Sequence, residues 1–204
     1  MERILCVLIG YICGLFQTSY LYGKVHGIDI RNYGSGNAGT TNALRTLGAK
    51  AGAITLLGDC FKCVVAVVIV HLIFGKSHPE MIRLLGMYAA AGTILGHNFP
   101  FYLGFKGGKG IATTGGVIFA FHWQLGLICA AVFLIITIIS KYVSLGSICM
   151  VLIIPFILYF NNPQDWKLVV VGCIFTAMAI WRHRANIVRL MNGTENKLGQ
   201  KVKR

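Results

Sequence analysis

The chain has 204 residues, 56% of them hydrophobic and 12% charged, with a formal net charge of +13. A soluble domain carries about 25% charged residues, and stretches 4–23, 84–105, 110–140 and 142–164 contain no Lys, Arg, Asp or Glu at all. This excludes a water-soluble globule and predicts an all-α polytopic integral membrane protein, because a crossing helix needs about 20 predominantly apolar residues.

The first apolar run lacks a short core followed by a small-residue cleavage site, and further runs follow it. It reads as a retained helix, not a signal peptide. The predicted spans are 3–23, 51–75, 82–98, 111–121, 124–140, 144–160 and 167–182, several of them short or broken. The 31 uncharged residues between Lys109 and Lys141 would make one helix of roughly 46 Å, against a hydrocarbon core of about 30 Å. Gly115-Gly116 and the polar-aromatic break Phe121-His122-Trp123-Gln124 divide that run into two helices.

Charge supports the division. With seven spans, one side holds 14 cations: Lys24, Arg31, Arg45, Lys50, Lys106, Lys109, Lys141, Arg182, Arg184, Arg189, Lys197, Lys201, Lys203 and Arg204. The other side holds Arg3, Lys76, Arg83 and Lys167, and merging the two short helices reduces the split to 11 against 7. The positive-inside rule favours the stronger bias, with the N-terminus outside and the C-terminus cytoplasmic. Anionic lipid headgroups then account for the net charge without nucleic acid. No internal repeat is evident, so a single domain over 1–204 is expected, ending in a basic cytoplasmic tail at about 183–204.

Two features lie inside the spans. All seven cysteines fall in apolar runs and read as small buried hydrophobes; Cys60 and Cys63 have the redox spacing but no surrounding thioredoxin-like pattern. Asp59 and Lys62, three apart in the second span, are charges in a costly place. They either pair with each other or reach an anion-lined cavity.

The polar residues gather in the loops of the cation-rich side. "GSGNAGTTNALRTLG", residues 34–48, formally satisfies G-x-G-x-x-G, but only a short segment separates it from an apolar span, which is the wrong context for a dinucleotide fingerprint. Its glycines suit an anion nest. Thr40, Thr41 and Asn42 are good N-caps, which starts a helix there, with Arg45 one turn on for bidentate phosphate contact. A plain tight turn accounts for the glycines but not for Ser35, Asn37 and Arg45 together.

"LGHNFPFYLGFKGGKGIATTGG", residues 95–116, is no Walker A loop, since Leu103 and Gly110 occupy positions that require Gly and Ser/Thr. It nevertheless sets Lys106 and Lys109 in a glycine-rich break before a helix start, which suits phosphate or a developing oxyanion. The plain alternative is a broken helix with interfacial lysines, and His97 read alone is a hydrogen-bonded helix residue. Further on, "SKYVSLGS" brings Ser144 and Ser147 to the start of a span, where serine ordinarily bonds its own backbone. "WRHRANIVRLMNGTENK", residues 181–197, sets His183 and Asn186 on one face of a basic surface helix.

Together these three motifs closely resemble those of the bacterial acyl-phosphate:glycerol-3-phosphate acyltransferases, in order and spacing, over essentially the whole chain. The resemblance implies a seven-span inner-membrane enzyme with cytoplasmic motifs. It transfers a fatty acyl group from acyl phosphate to the 1-hydroxyl of sn-glycerol 3-phosphate, as the first step of phospholipid synthesis, with no metal or other cofactor. It further implies an upstream phosphate:acyl-carrier-protein acyltransferase that supplies the donor.

Carried over by motif, Ser35, Gly36, Asn37 and Thr41 contact the acyl phosphate and Arg45 binds a phosphate. Lys106 and Lys109 hold substrate phosphate, while Gly107, Gly108 and Gly110 admit the donor. Ser147 and His183 line the glycerol 3-phosphate pocket, Asn186 lies near the reacting carbonyl, and Glu195 supports structure. Thr40 departs from the small residue usual there.

An acyl phosphate carries a good leaving group, so positioning and oxyanion stabilisation are what such an enzyme must supply. The hydroxyl proton goes either to the substrate's own phosphate or to His183. The His-x4-Asp pattern of acyl-CoA-dependent enzymes is absent, since none of the six histidines has Asp five positions on. A membrane transporter of phosphate or organic anions is the alternative class, and the absence of a repeat argues against it.

Overall fold

The computed structural model of the chain describes residues 1–200; positions 201–204 of the predicted basic tail lie outside them. The described residues form ten α-helices and no strand: α1 (Glu2–Gly14), α2 (Thr18–Val25), α3 (Thr40–Leu47), α4 (Ala49–Phe74), α5 (Ile82–Asn98), α6 (Ile111–Phe121), α7 (Trp123–Ser140), α8 (Val143–Asn161), α9 (Trp166–Arg182) and α10 (Arg184–Met191). They cluster into two compact units, Met1–Phe121 and His122–Gln200.

Helices α5 and α6 begin and end where the sequence predicts, and the later apolar helices start one residue early. The first predicted span is different. It is two helices, α1 and α2, interrupted at Leu15-Phe16-Gln17. The break has a use: Gln17 is fully buried, and its side-chain amide donates to the carbonyls of Gly14, Gly96 and His97 at 3.1–3.3 Å.

Among the described residues, four stretches are long and apolar enough to cross a membrane: Glu2–Val25, Ala49–Phe74, Trp123–Ser140 and Val143–Asn161. The pair α9–α10, bent by 58°, makes a fifth. At 1.5 Å per residue, α5 is about 25 Å long and α6 about 16 Å. Polarity is inverted relative to a soluble domain. Leu72, Ile139 and Phe160 are more than three-quarters exposed, whereas Gln17, Asp59 and Lys62 are 5% exposed or less. Apolar side chains outward and paired polar groups inward is the arrangement that hydrocarbon solvent selects. Among the cysteines, Cys6, Cys63 and Cys129 are buried as expected, Cys13, Cys60 and Cys149 are partly buried, and Cys173 is exposed; all are free thiols.

In the first unit, α1 and α5 meet backbone to backbone. Gly10 and Gly14 face Gly92 and Gly96. A Cβ on Gly10 would fall on the Ala89 carbonyl oxygen and one on Gly14 on that of Thr93, while those on Gly92 and Gly96 would strike the carbonyls of Val7 and Tyr11. Both helices thus carry a small-xxx-small stripe. Hydroxyls close the ends of this pair: Tyr11 donates to the Phe99 carbonyl at 2.8 Å and Tyr102 to that of Leu15 at 2.7 Å. Helix α6 lies equally close to α4, with Gly116 against the Cys60 backbone.

In the second unit, Gly146 of α8 faces Thr137 and the Phe133 carbonyl of α7, and Gly172 of α9 faces Leu158. Thr176 donates across to the Val151 carbonyl at 2.7 Å. The segment after α10 returns to the α7–α8 turn, where the Leu198 amide donates to the Lys141 carbonyl at 2.7 Å.

Gly96→Ala should therefore lower stability by roughly 1–3 kcal/mol, the usual range for overpacking, read as a drop in the SDS-unfolding midpoint. Gly115→Ala on α6, whose added Cβ meets nothing within 4 Å, is the matched control, neutral or stabilising. Equal behaviour of the two would refute the close approach of α1 to α5.

Candidate active site

The first motif loop is held from beneath by Asn42. This side chain is buried; its amide donates to the Ile30 and Tyr33 carbonyls at 3.0 Å and its oxygen accepts from the Ser35 amide at 2.9 Å. Asn42 is not the N-cap that the sequence suggests. Helix α3 starts at Thr40 with Gly39 as its cap residue and no side-chain cap, so Asn42 sits at the third helical position and reaches back. Gly34, at φ +60°, leaves room for it, because a Cβ there would fall on the Asn42 oxygen. Asp29 caps the preceding 3-10 turn, Ile30–Asn32, through the Arg31 amide. The Arg31 guanidinium pairs with the same carboxylate at 2.7 Å and donates to the Leu103 carbonyl of the second motif at 3.0 Å. Arg31 holds the Asp29 carboxyl below its ordinary value. Ser35 and Gly36 are exposed, while Asn37, Thr41 and Arg45 are half-buried beside them.

The second loop folds back onto the end of α5. Gly107 and Gly108 donate their amides to the carbonyls of Asn98 and His97 at 3.2 and 3.1 Å. Three glycines of this loop have a steric reason. A Cβ on Gly107 would strike the His97 carbonyl, one on Gly108 would fall on both His97 Nε2 and the Ala38 carbonyl oxygen, and Gly110, at φ +80°, lies against the Asn98 side chain. The contact between Gly108 and Ala38 joins the two motifs in one seam. Lys109 is half-buried there, immediately before α6, whose Thr114 amide donates to the Gly110 carbonyl at 2.7 Å. Lys106 is exposed, on the turn formed by Gly104 and Phe105, both at positive φ.

The anion nest expected from the glycines is altered in one respect. The amides of Ser35, Gly36, Gly39, Gly107 and Gly108 are all donated to protein oxygens. The glycines serve close approach; Arg45 lies within α3 and Lys109 just before α6, two helices whose first-turn amides lack intrahelical partners.

Beneath the second loop lies a buried charge cluster. Lys62 Nζ donates to the Phe16 carbonyl at 2.8 Å, to Asp59 Oδ1 at 2.9 Å and to His97 Nδ1 at 2.7 Å, and Thr18 donates to the same Asp59 oxygen at 3.2 Å. Asp59 and Lys62 do pair, and the pair carries a histidine that touches the loop. Sequence reasoning took His97 for an ordinary helix residue and passed over Asn98. The latter is fully buried, and neither atom of its amide has a hydrogen-bond partner. Spacing alone held no signal for either role, since both depend on which carbonyl or glycine lies opposite.

The second unit assembles the third motif around Glu195. One carboxylate oxygen accepts from Asn186 at 2.7 Å and Ser144 at 2.9 Å, and the other accepts from Arg189 at 2.7 Å. Burial pushes this carboxyl up, but the hydrogen bonds from Asn186, Arg189 and Ser144 outweigh it, and the net shift is downward. His183 sits at the corner between α9 and α10, buried, with Nδ1 2.8 Å from the Ala179 carbonyl. A carbonyl only accepts, so Nδ1 carries a proton and the neutral ring is basic at Nε2. Ser147 is buried and donates to the Val143 carbonyl of its own helix at 2.8 Å. Among the described residues no group of three or more His, Cys, Asp or Glu is arranged to hold a metal ion.

Two glycine-rich loops between the membrane helices thus meet at Ala38 and Gly108, with Lys109 half-buried beside the junction. Comparison with known proteins names the class. Residues 4–193 match the glycerol-3-phosphate acyltransferase family model. The chain is 44% identical to a glycerol-3-phosphate acyltransferase of Clostridioides difficile (strain 630), over 97% of this chain and 96% of the relative, and 40% identical to one of Bacillus subtilis (strain 168), over 95% and 96%. The crystal structure of PlsY (YgiH), an integral membrane glycerol 3-phosphate acyltransferase, in its glycerol 3-phosphate form, superposes with a TM-score of 0.87 at 33% identity. It covers 98% of this chain and 96% of its own; its lysophosphatidic acid form gives 0.85 at 32%. The chain belongs to the glycerol-3-phosphate acyltransferase family and is an integral membrane acyltransferase.

Two outcomes follow from the geometry. Asn42→Asp keeps the shape but sets a carboxylate against the Ile30 and Tyr33 carbonyls, so the thermal midpoint in detergent should fall by the equivalent of about 1–3 kcal/mol; an unchanged midpoint would remove Asn42 as the loop's anchor. Glu195, with its folded value below the ordinary 4.5, contributes stability above that pH, and the contribution is lost as pH falls through the folded value. Glu195→Gln should be less stable than wild type at neutral pH, with the gap closing on acidification below 4.5; a gap independent of pH would contradict the charged cluster.

Proposed function

We propose that the protein acylates the 1-hydroxyl of sn-glycerol 3-phosphate with an acyl phosphate as donor, giving 1-acylglycerol 3-phosphate and inorganic phosphate. The observation that carries this reading is the seam in the first unit. There two glycine-rich loops meet at Ala38 and Gly108, with Arg45 and Lys109 on their borders. Family membership and the glycerol 3-phosphate and lysophosphatidic acid forms of the related structure support the acceptor and the product class.

In the step itself, the glycerol 1-hydroxyl oxygen forms a bond to the carbonyl carbon. The bond from that carbon to the bridging phosphate oxygen breaks, and the electron pair leaves with phosphate. The hydroxyl proton ends on the departing phosphate, directly or by way of a side chain. Because phosphate is a good leaving group, the protein's contribution is positioning and charge stabilisation. Lys109 and Arg45 neutralise phosphate oxygens, Ser35, Gly36, Asn37 and Thr41 orient the donor, and Lys106 draws anionic substrate to the loop. Gly107, Gly108 and Gly110 keep the loop backbone close enough for the donor to enter.

By the motif resemblance, Ser147 and His183 bind glycerol 3-phosphate and Asn186 attends the reacting carbonyl, with Glu195 holding Asn186 in place. The tautomer of His183, basic at Nε2 because Nδ1 is bonded to the Ala179 carbonyl, supports a role as the relay that takes the hydroxyl proton. The chain is read as one domain of seven spans in the bacterial inner membrane, N-terminus outside and the motif loops cytoplasmic. The positive-inside bias supports that orientation, and the donor is supplied by an upstream phosphate:acyl-carrier-protein acyltransferase.

Purified protein should acylate glycerol 3-phosphate with palmitoyl phosphate and not with palmitoyl-CoA, in the presence of a chelator. Lys109→Ala should reduce kcat/KM by about two orders of magnitude or more, as expected for loss of a charge contact to phosphate in a water-poor site. Activity with the CoA thioester alone would overturn the donor assignment.

A further inference from the structure

The mechanism above does not use the Asp59–Lys62 pair, although two charges buried inside a membrane protein are expensive to keep. Their geometry has a specific consequence. An ammonium group has three N–H donors and no acceptor, and Lys62 has three acceptors: the Phe16 carbonyl, Asp59 Oδ1 and His97 Nδ1, all within 2.9 Å. The nitrogen that receives the third proton must present a lone pair. His97 is therefore unprotonated at Nδ1 and carries its hydrogen on Nε2. The Asp59 carboxylate, itself receiving a hydrogen bond from Thr18, sets a negative charge directly against the Lys62 nitrogen.

The other end of the imidazole meets the glycine seam. A Cβ on Gly108 would clash with both His97 Nε2 and the Ala38 carbonyl oxygen, so ring nitrogen and first-motif carbonyl border the same side of the loop glycine. Main-chain bonds reinforce the register, with the carbonyls of His97 and Asn98 accepting from Gly108 and Gly107. An Nε2–H donor at this point matches a seam that offers a carbonyl, whereas the opposite tautomer would set a lone pair against that oxygen.

We propose that Asp59 and Lys62 are positioning residues for the donor. By locking His97 as the Nε2–H tautomer, they make the imidazole a hydrogen-bond donor into the junction of the two motif loops, holding those loops in the geometry that receives the acyl phosphate. This rests on reading the seam as the acyl-phosphate cradle. The tautomer itself does not depend on that reading.

Nitrogen-15 NMR of histidine-labelled protein in nanodiscs tests the first half. The ring resonances lost in His97→Gln should report an unprotonated Nδ1 and a protonated Nε2 in the wild type. An Nδ1–H tautomer or an imidazolium would overturn the proposal.

Kinetics test the second half. The apolar replacement Asp59→Leu/Lys62→Met removes both charges together, so no lone buried ion is left to unfold the protein. It should raise KM for palmitoyl phosphate about tenfold or more while leaving KM for glycerol 3-phosphate within about twofold, a split that general loss of structure would not give. His97→Gln keeps an N–H donor near the Nε2 position without any tautomer to set, so adding Asp59→Leu/Lys62→Met to it should change the palmitoyl phosphate KM by less than about twofold. A folded Asp59→Leu/Lys62→Met protein with wild-type kinetics, or equal effects of the replacement in both backgrounds, would reduce the pair to a structural element. A failure to fold would also overturn the proposal, because it would show that the fold itself requires the pair. Failure of the cradle reading is recognised separately, as wild-type protein inactive with palmitoyl phosphate.

Discussion

The contact on which the first unit depends is the backbone approach of α1 to α5. Lipid tails are as apolar as leucine, so helices in a membrane gain little by hiding apolar side chains from their surroundings. They associate through close packing and polar contacts instead. Gly10, Gly14, Gly92 and Gly96 remove the side chains that would keep the two helices apart, and carbonyls of each helix lie where the missing Cβ atoms of the other would be. The amide of Gln17, buried at the break that ends α1, then bonds across to Gly96 and His97. The end of α5 is thereby set against the start of α2.

That placement decides the rest of the unit. His97 and Asn98, on the last turn of α5, form the floor on which the Gly107–Gly110 loop rests, and Lys62 approaches the same histidine from α4. Ala38, from the first motif, meets Gly108 at this floor, and Arg31 ties the two loops a second time through the Leu103 carbonyl. Loop backbone buried in protein is tolerated where its polar groups find partners. Here the amides of Ser35, Gly36, Gly39, Gly107 and Gly108 find partners within the protein, which pre-forms that part of the seam.

The second unit reaches the same end by a different device. Glu195 gathers Ser144, Asn186 and Arg189 around one carboxylate. The segment after α10 is thus bound to the start of α8, and the Asn186 side chain is held in one orientation. The two key histidines are set in opposite senses, with the proton on Nε2 in His97 and on Nδ1 in His183. In each case the partner opposite the ring selects the tautomer, an ammonium for one and a carbonyl for the other. Two identical side chains so acquire different chemistry, a donor in one place and an acceptor in the other.

Much of this was legible in the sequence. Hydrophobic run lengths located the apolar helices to within a residue or two at most ends, because membrane solvent imposes one simple rule on every crossing segment. The three motifs identified the family, and their glycines, cations and the acid at 195 were all recognised as special. Other features were decided only by the tertiary structure, since each is a relation between distant segments. Gln17 splits the first helix because the acceptors for its amide lie on α5. Asn42 is an anchor and not a cap, because its partners are the carbonyls of Ile30 and Tyr33. Gly107 and Gly108 prove to be places of close contact, with their amides already committed to protein oxygens. Asp59 and Lys62 are legible as a possible pair on one helix, but only packing brings His97 of α5 within hydrogen-bonding distance of Lys62. A one-dimensional pattern records solvent preference and local geometry; which nitrogen of a histidine holds its proton depends on the atom that the fold places opposite.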